Sequence, residues 1–183
     1  MINADSISIL VILARLLVPF SIFRWPLAGI FLSIAADASD VMIFEITGYG
    51  FFDGIYHHLD KVFDIYYLFF AWIVARTWWD VLARRTATAL FWWRALGVAA
   101  FEVTGFRPLF FIAPSIFENF YIFRLIAVKI KPSFTFTTQS LLIVLLVVGI
   151  PKMIQEYLMH FRYIDQVWNF IRDHFFWWLY QRG

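Results

Sequence analysis

The chain contains no cysteine, which excludes disulfides, thiolate metal sites and cysteine nucleophiles. Charge is sparse: 15% of residues are Asp, Glu, Lys or Arg, and the formal net charge of +2 is too small to point to a nucleic-acid partner. No Lys or Arg stands in Met1 to Ser6, Asp5 does, and Arg15 interrupts the first apolar run, so the N-terminus does not read as a cleavable signal peptide. There is no internal repeat, low-complexity tract or water-soluble domain. What the chain has in excess is apolar surface. Its 183 residues are 62% hydrophobic with a mean hydropathy of +0.74, where a soluble domain is about half apolar, so the excess needs a non-aqueous home. Aromatics reach 22%, and the nine Trp are of the kind that gathers at membrane–water interfaces.

A helix needs roughly 20 residues to cross the hydrocarbon. The apolar segments predict about six crossings: Ile7 to Ile22, ending near Pro19; Pro26 to Ile43; His58 to Trp79; Thr86 to Val103; Pro108 to Val128; and Thr138 to Met159, bent near Gly149 and Pro151. The expected fold is an all-α, polytopic membrane helix bundle over residues 1–160. A separate C-terminal helix is expected over residues 161–183. Ile164, Val167, Trp168, Ile171 and Phe175 share one helical face there, opposite Arg162, Asp165, Asn169, Arg172 and Asp173, the pattern of an amphipathic helix lying in the interface. Lys and Arg are nearly balanced between the two sides, so the positive-inside rule sets no orientation.

Two pairs of acids mark the junction of the second and third segments. Asp37 and Asp40 lie three apart, and Asp60 and Asp64 four apart, so each pair shares a helix face. The two segments are joined by one loop and are expected to run antiparallel, which lets the four carboxylates converge. Clustered carboxylates repel unless cations neutralise them, and hard oxygen ligands suit Mg2+ or Mn2+. A two-ion carboxylate site of this kind serves phosphoryl displacement, with a free carboxylate taking a proton from the attacking hydroxyl. The competing reading is that each Asp caps a helix end or forms a solvated rim, with Asp60 and Asp64 favoured by the macrodipole. Arg94 and Glu102 in the fourth segment, and Glu118, Asn119 and Arg124 in the fifth, are further buried-charge candidates. Arg94 and Arg124 read either as sites for a substrate phosphate or as structural ion-pair partners.

These residues resemble the CDP-alcohol phosphatidyltransferases, whose signature is D-x2-D-G-x2-A-R-x8-G-x3-D-x3-D across the second and third membrane helices. DASD carries Asp37 and Asp40, and LDKVFD carries Asp60 and Asp64 at the matching spacing. The lead-in is similar too, with Arg15 and Pro19 in ARLLVP followed by LAGIFLSIAAD. The likeness covers about the first eighty residues. It implies that Asp37, Asp40, Asp60 and Asp64 hold two Mg2+ or Mn2+ ions, and that Asp64 is the general base. That base would deprotonate an alcohol attacking the phosphorus of a CDP-linked donor, with a lipid as donor or acceptor. The signature's Gly is replaced by Val41 and its Ala-Arg by Phe44 and Glu45; no Gly precedes Asp60 by four, and Asp37 to Asp60 is two residues longer. These departures fall on nucleotide recognition more than on the carboxylates. The expected activity is therefore an integral, multi-pass membrane phosphotransferase of phospholipid synthesis, with lipid and membrane as partners and a second copy or another membrane subunit as the protein partner. The alternatives are a subunit of the same fold without catalysis, serving lipid binding or assembly, and a transporter.

Overall fold

The computed structural model describes residues 4–47, 56–106 and 108–158. The predicted amphipathic tail from residue 161 lies outside them. The described residues form helices joined by short connections, with no strand among them. Helix α1 runs Ala4–Leu17 and passes through a 3-10 turn, Val18–Phe20, into α2, Ser21–Arg24. The first apolar segment therefore continues past Pro19 instead of stopping there. Pro19 sits in the tightened turn, where its missing N–H is tolerated. A single residue, Trp25, then separates α2 from α3, Pro26–Thr47. So short a connection folds the two helices into a hairpin, and Gly29 permits it: a Cβ there would lie 2.5 Å from the Ile22 backbone nitrogen.

Helix α4, Tyr56–Ala75, packs against α3 and against α5, Val81–Thr104. Asp80 caps α5 by accepting from the Ala83 N–H at 3.1 Å, and Gly105 at φ 65° ends it in the left-handed region that favours glycine. The fifth apolar segment is not one helix. It breaks into α6, Pro108–Ile112, and α7, Ile116–Ile130. Pro114 causes the break, because its ring has no N–H to donate and clashes with the preceding turn. The carbonyls this frees are met from α5: Trp93 Nε1 donates to Ile112 O at 3.0 Å, and Arg94 Nη1 to Ala113 O at 3.0 Å. Helix α8, Thr138–Tyr157, opens with a capping box between Thr137 and Ser140 and carries Pro151 without ending.

Among the described residues, three helical stretches are long and apolar enough to cross a membrane: Asp5–Arg24, Pro26–Phe44 and Thr138–Tyr157. Their burial is slight, and Leu10, Leu17, Phe31, Leu142, Leu146 and Val147 face outward. The core gathers Leu68, Ala71, Phe91, Phe117, Phe120 and Tyr121 where α4, α5 and α7 meet.

Candidate functional site

The four aspartates of α3 and α4 meet around one side chain of α1. Arg15 is 4% exposed and its guanidinium reaches every one of them. Nη1 bonds Asp40 and, at 2.8 Å, Asp60 Oδ1; Nη2 bonds Asp37 and, at 3.3 Å, Asp64 Oδ1. The antiparallel α1–α3 hairpin sets Arg15 ten residues before Trp25 and Asp37 twelve after it, so the two stand at similar heights. That height is about 15–18 Å from the hairpin turn at 1.5 Å per residue. The cluster thus lies deeper along α3 than its position near the end of the second predicted segment suggested, because α3 continues to Thr47.

The surroundings hold this arrangement in place. The Arg15 guanidinium lies over the Phe63 ring at 5.2 Å, and Nη1 is 3.4 Å from the Tyr56 hydroxyl. Tyr56 meets Phe44 edge-on at 4.5 Å, and both pack with Val11 in a small core that ties α1, α3 and α4 together. Lys61 adds a second cation, 2.7 Å from Asp60 Oδ2. Four carboxylates against Arg15 and Lys61 leave a formal charge of −2.

One wall of the cluster opens on a cavity of about 340 Å³ between α3, α4, α5, α7 and α8. Asp37, Asp60 and Asp64 line it, while Asp40 is fully buried behind them. Lys61, Arg94 and Lys152 also reach its lining, with Glu118 and Glu156. Glu118 accepts from the Tyr67 hydroxyl at 2.5 Å. Arg94 lies 4.0 Å from Glu156 of α8, so the acid nearest it comes from another helix. Ser115 lines the cavity at the break between α6 and α7, irregular backbone of the kind found at membrane depth only against protein or a polar cavity.

The two basic residues expected to bind substrate separate. Arg94 lines the cavity, and Arg124 does not. Arg124 lies toward the other end of α7, where its guanidinium sits 5.7 Å from the Trp78 ring and 5.8 Å from those of Trp79 and Phe134. Six residues along α7 from Glu118 carry it about 9 Å away. The residue that sequence reasoning undervalued is Arg15. A lone cation inside an otherwise apolar run was its signal, since such a charge needs a partner within the bundle.

A divalent cation can be tested against these residues. Asp37, Asp40 and Asp60 have carboxylate oxygens within 4.8 Å of one another, and Asp40 Oδ1 is buried with no hydrogen-bond partner among the described residues. One divalent cation would balance the residual −2. The donor set fits one such ion, of hard-oxygen preference, beside Arg15. A second ion would turn the cluster positive and requires an anionic substrate to balance it.

The chain matches no protein-family model, no curated protein and no solved structure. No family is identified for the chain by these comparisons.

Proposed function

We propose that the chain is a multi-pass membrane phosphotransferase acting on a lipid or its head group, by the chemistry of the CDP-alcohol phosphatidyltransferases. One observation carries this reading: four carboxylates from two helices converge at the wall of a cavity that also presents Lys61, Arg94 and Lys152. Acids for proton transfer and cations for phosphate are thereby within one enclosure. The proposed topology has about six crossings, formed by α1–α2, α3, α4, α5, α6–α7 and α8. Charges on α1, α4 and α5 are tolerable there because Arg15, Asp60, Lys61 and Arg94 find partners within the bundle.

In the transfer, an acceptor hydroxyl attacks the phosphorus of a CDP-linked diphosphate. The new P–O bond forms as the bond to the bridging oxygen breaks, and CMP leaves with that oxygen. Asp64 takes the hydroxyl proton. It suits this role because it lines the cavity and makes the longest of the four contacts to Arg15. Asp37, Asp40 and Asp60 would hold a divalent cation, which supplies charge neutralisation for the phosphoryl oxygens. Lys61 and Lys152 bind and orient the substrate's phosphates.

A second reading has its own observation. Arg15 already pairs with each of the four aspartates, so the cluster can persist as a structural knot in a subunit without catalysis. One experiment separates the two. Purified protein in proteoliposomes is supplied with CDP-diacylglycerol or a CDP-alcohol, a lipid or alcohol acceptor and Mn2+, and CMP is measured. Release that depends on Mn2+ and is lost in Asp64→Asn supports the enzyme; no release with any donor supports the structural subunit.

A further inference from the structure

A second polar cavity lies away from the aspartates. An open groove of about 420 Å³ runs between the end of α4 and the start of α5, lined by Arg76, Arg84, Arg85, Thr88, Ala89 and Trp92. Arg76 stands twelve residues beyond Asp64, about 18 Å along the helix direction. The groove is thus separate from the cavity at the carboxylate cluster.

Its three guanidiniums form no ion pair with a carboxylate among the described residues. The nearest acid in sequence, Asp80, is buried and committed: one oxygen accepts from the Ala83 N–H at 3.1 Å and the other from the Phe136 N–H at 2.8 Å. Arg84 and Arg85 also stand at the start of α5, where the helix macrodipole favours an anion and disfavours cations. Three cations gathered at such a place lack the anion that would offset them. The walls are fixed by aromatic packing. Arg76 lies over the Trp72 ring at 5.2 Å, Trp72 meets Trp92 edge-on at 5.7 Å, and Trp72 Nε1 donates to Thr88 Oγ1 at 3.3 Å.

Below the cations the groove turns apolar. Ala89, Trp92 and Leu96 follow one another at helical spacing on α5, with Trp93 beside them, and Trp92, Trp93 and Leu96 are about half exposed or more. Cations above an exposed aromatic and aliphatic stripe complement an anionic head group above an acyl chain. We propose that this groove binds an anionic phospholipid, its phosphate among Arg76, Arg84 and Arg85 and its chain along Ala89, Trp92 and Leu96. The proposal rests on the membrane reading of the chain and is independent of the transfer chemistry.

The test offers phosphatidylglycerol and phosphatidylcholine in equal amounts to the detergent-purified protein and counts retained lipid by native mass spectrometry. The wild type retains phosphatidylglycerol in preference, and the preference falls about fivefold for each Arg removed, following the attraction of one basic residue to an anionic lipid surface. It is lost in the R76Q/R84Q/R85Q triple variant and kept in R24Q, which removes an exposed cation outside the groove. Should the triple variant fail to fold, R85Q alone, at an exposed position, still reads the fivefold loss. Equal preference in wild type and triple variant overturns the proposal, as does an equal loss in R24Q, which would reduce the effect to diffuse charge. Inorganic phosphate that raises the melting temperature of the wild type in phosphatidylcholine alone, but not that of the triple variant, overturns the lipid assignment in favour of a free anion. Failure of the membrane reading shows separately, as release of the protein from membranes by alkaline carbonate.

Discussion

Arg15 on α1 and Asp60 on α4, forty-five residues apart in sequence, are joined by a 2.8 Å ion pair that closes α1, α3 and α4 around one guanidinium. Nothing else on α1 offers these carboxylates a cation. Removing one partner of a buried pair costs about 3–5 kcal/mol because the other charge is stranded. Arg15→Met strands Asp37, Asp40 and Asp64 and leaves Asp60 with Lys61 alone. The expected outcome is a loss of at least that size in thermal unfolding of the detergent-solubilised protein. Arg15→Lys should recover only part of it, since an ammonium lacks the planar fork that reaches both pairs.

Mn2+ or Mg2+ should raise the melting temperature of the wild type, because a ligand held only by the folded state stabilises by mass action. Asp60→Asn should weaken the shift, and Arg15→Met should enlarge it as the ion takes over the charge that Arg15 balances. A wild-type melting temperature unmoved by either ion at millimolar concentration would favour the structural subunit over the enzyme.

Arg94 and Arg124 should respond in opposite ways. Arg94→Ala strips the Ala113 carbonyl and Glu156 of their cation and should cost about 2–3 kcal/mol, the usual penalty for stranding buried polar groups. Arg124 has Nε and Nη1 buried without hydrogen-bond partners among the described residues. Arg124→Met removes an expensive charge and keeps the stem packing, so the change should be neutral or stabilising. Thermal melts of the two variants side by side test the contrast.

Nucleotide binding should be weak in the unmodified chain. In the resemblance, Val41 brings a branched side chain where the signature has Gly, and Glu45 a negative charge where it has Arg. Like charge near a phosphate in a low-dielectric site costs several kcal/mol unless screened. Val41→Gly combined with Glu45→Arg should strengthen CDP-diacylglycerol binding by calorimetry with Mn2+ present. Tight binding by the wild type would show that these two positions do not govern donor recognition.

The helices were legible from apolar length and from Pro and Gly, and the pairing of the aspartates from spacing alone. Three features were not. Pro114 was read as part of a continuous segment, because a proline in an apolar run marks a break only when something else can meet the freed carbonyls, and here Trp93 and Arg94 do so from another helix. Arg124 was grouped with Arg94 because both are cations inside apolar segments; their separation depends on which end of the bundle each reaches. Arg15 was visible as an interruption, but its contact with all four acids required the hairpin that Gly29 permits.

The single-residue turn at Trp25 has a consequence for biogenesis. In a chain threaded into the bilayer one segment at a time, α1 arriving alone would expose Arg15 to hydrocarbon, at a cost of about 2.5–3.5 kcal/mol on the insertion scale. The carboxylates that pair with Arg15, Asp37 and Asp40, follow on α3, the next helix after Trp25. On the proposed topology the first two segments would partition as a unit, α1 waiting for α3 to emerge. Asp60 and Asp64, delivered later on α4, then lock a hairpin that has already entered.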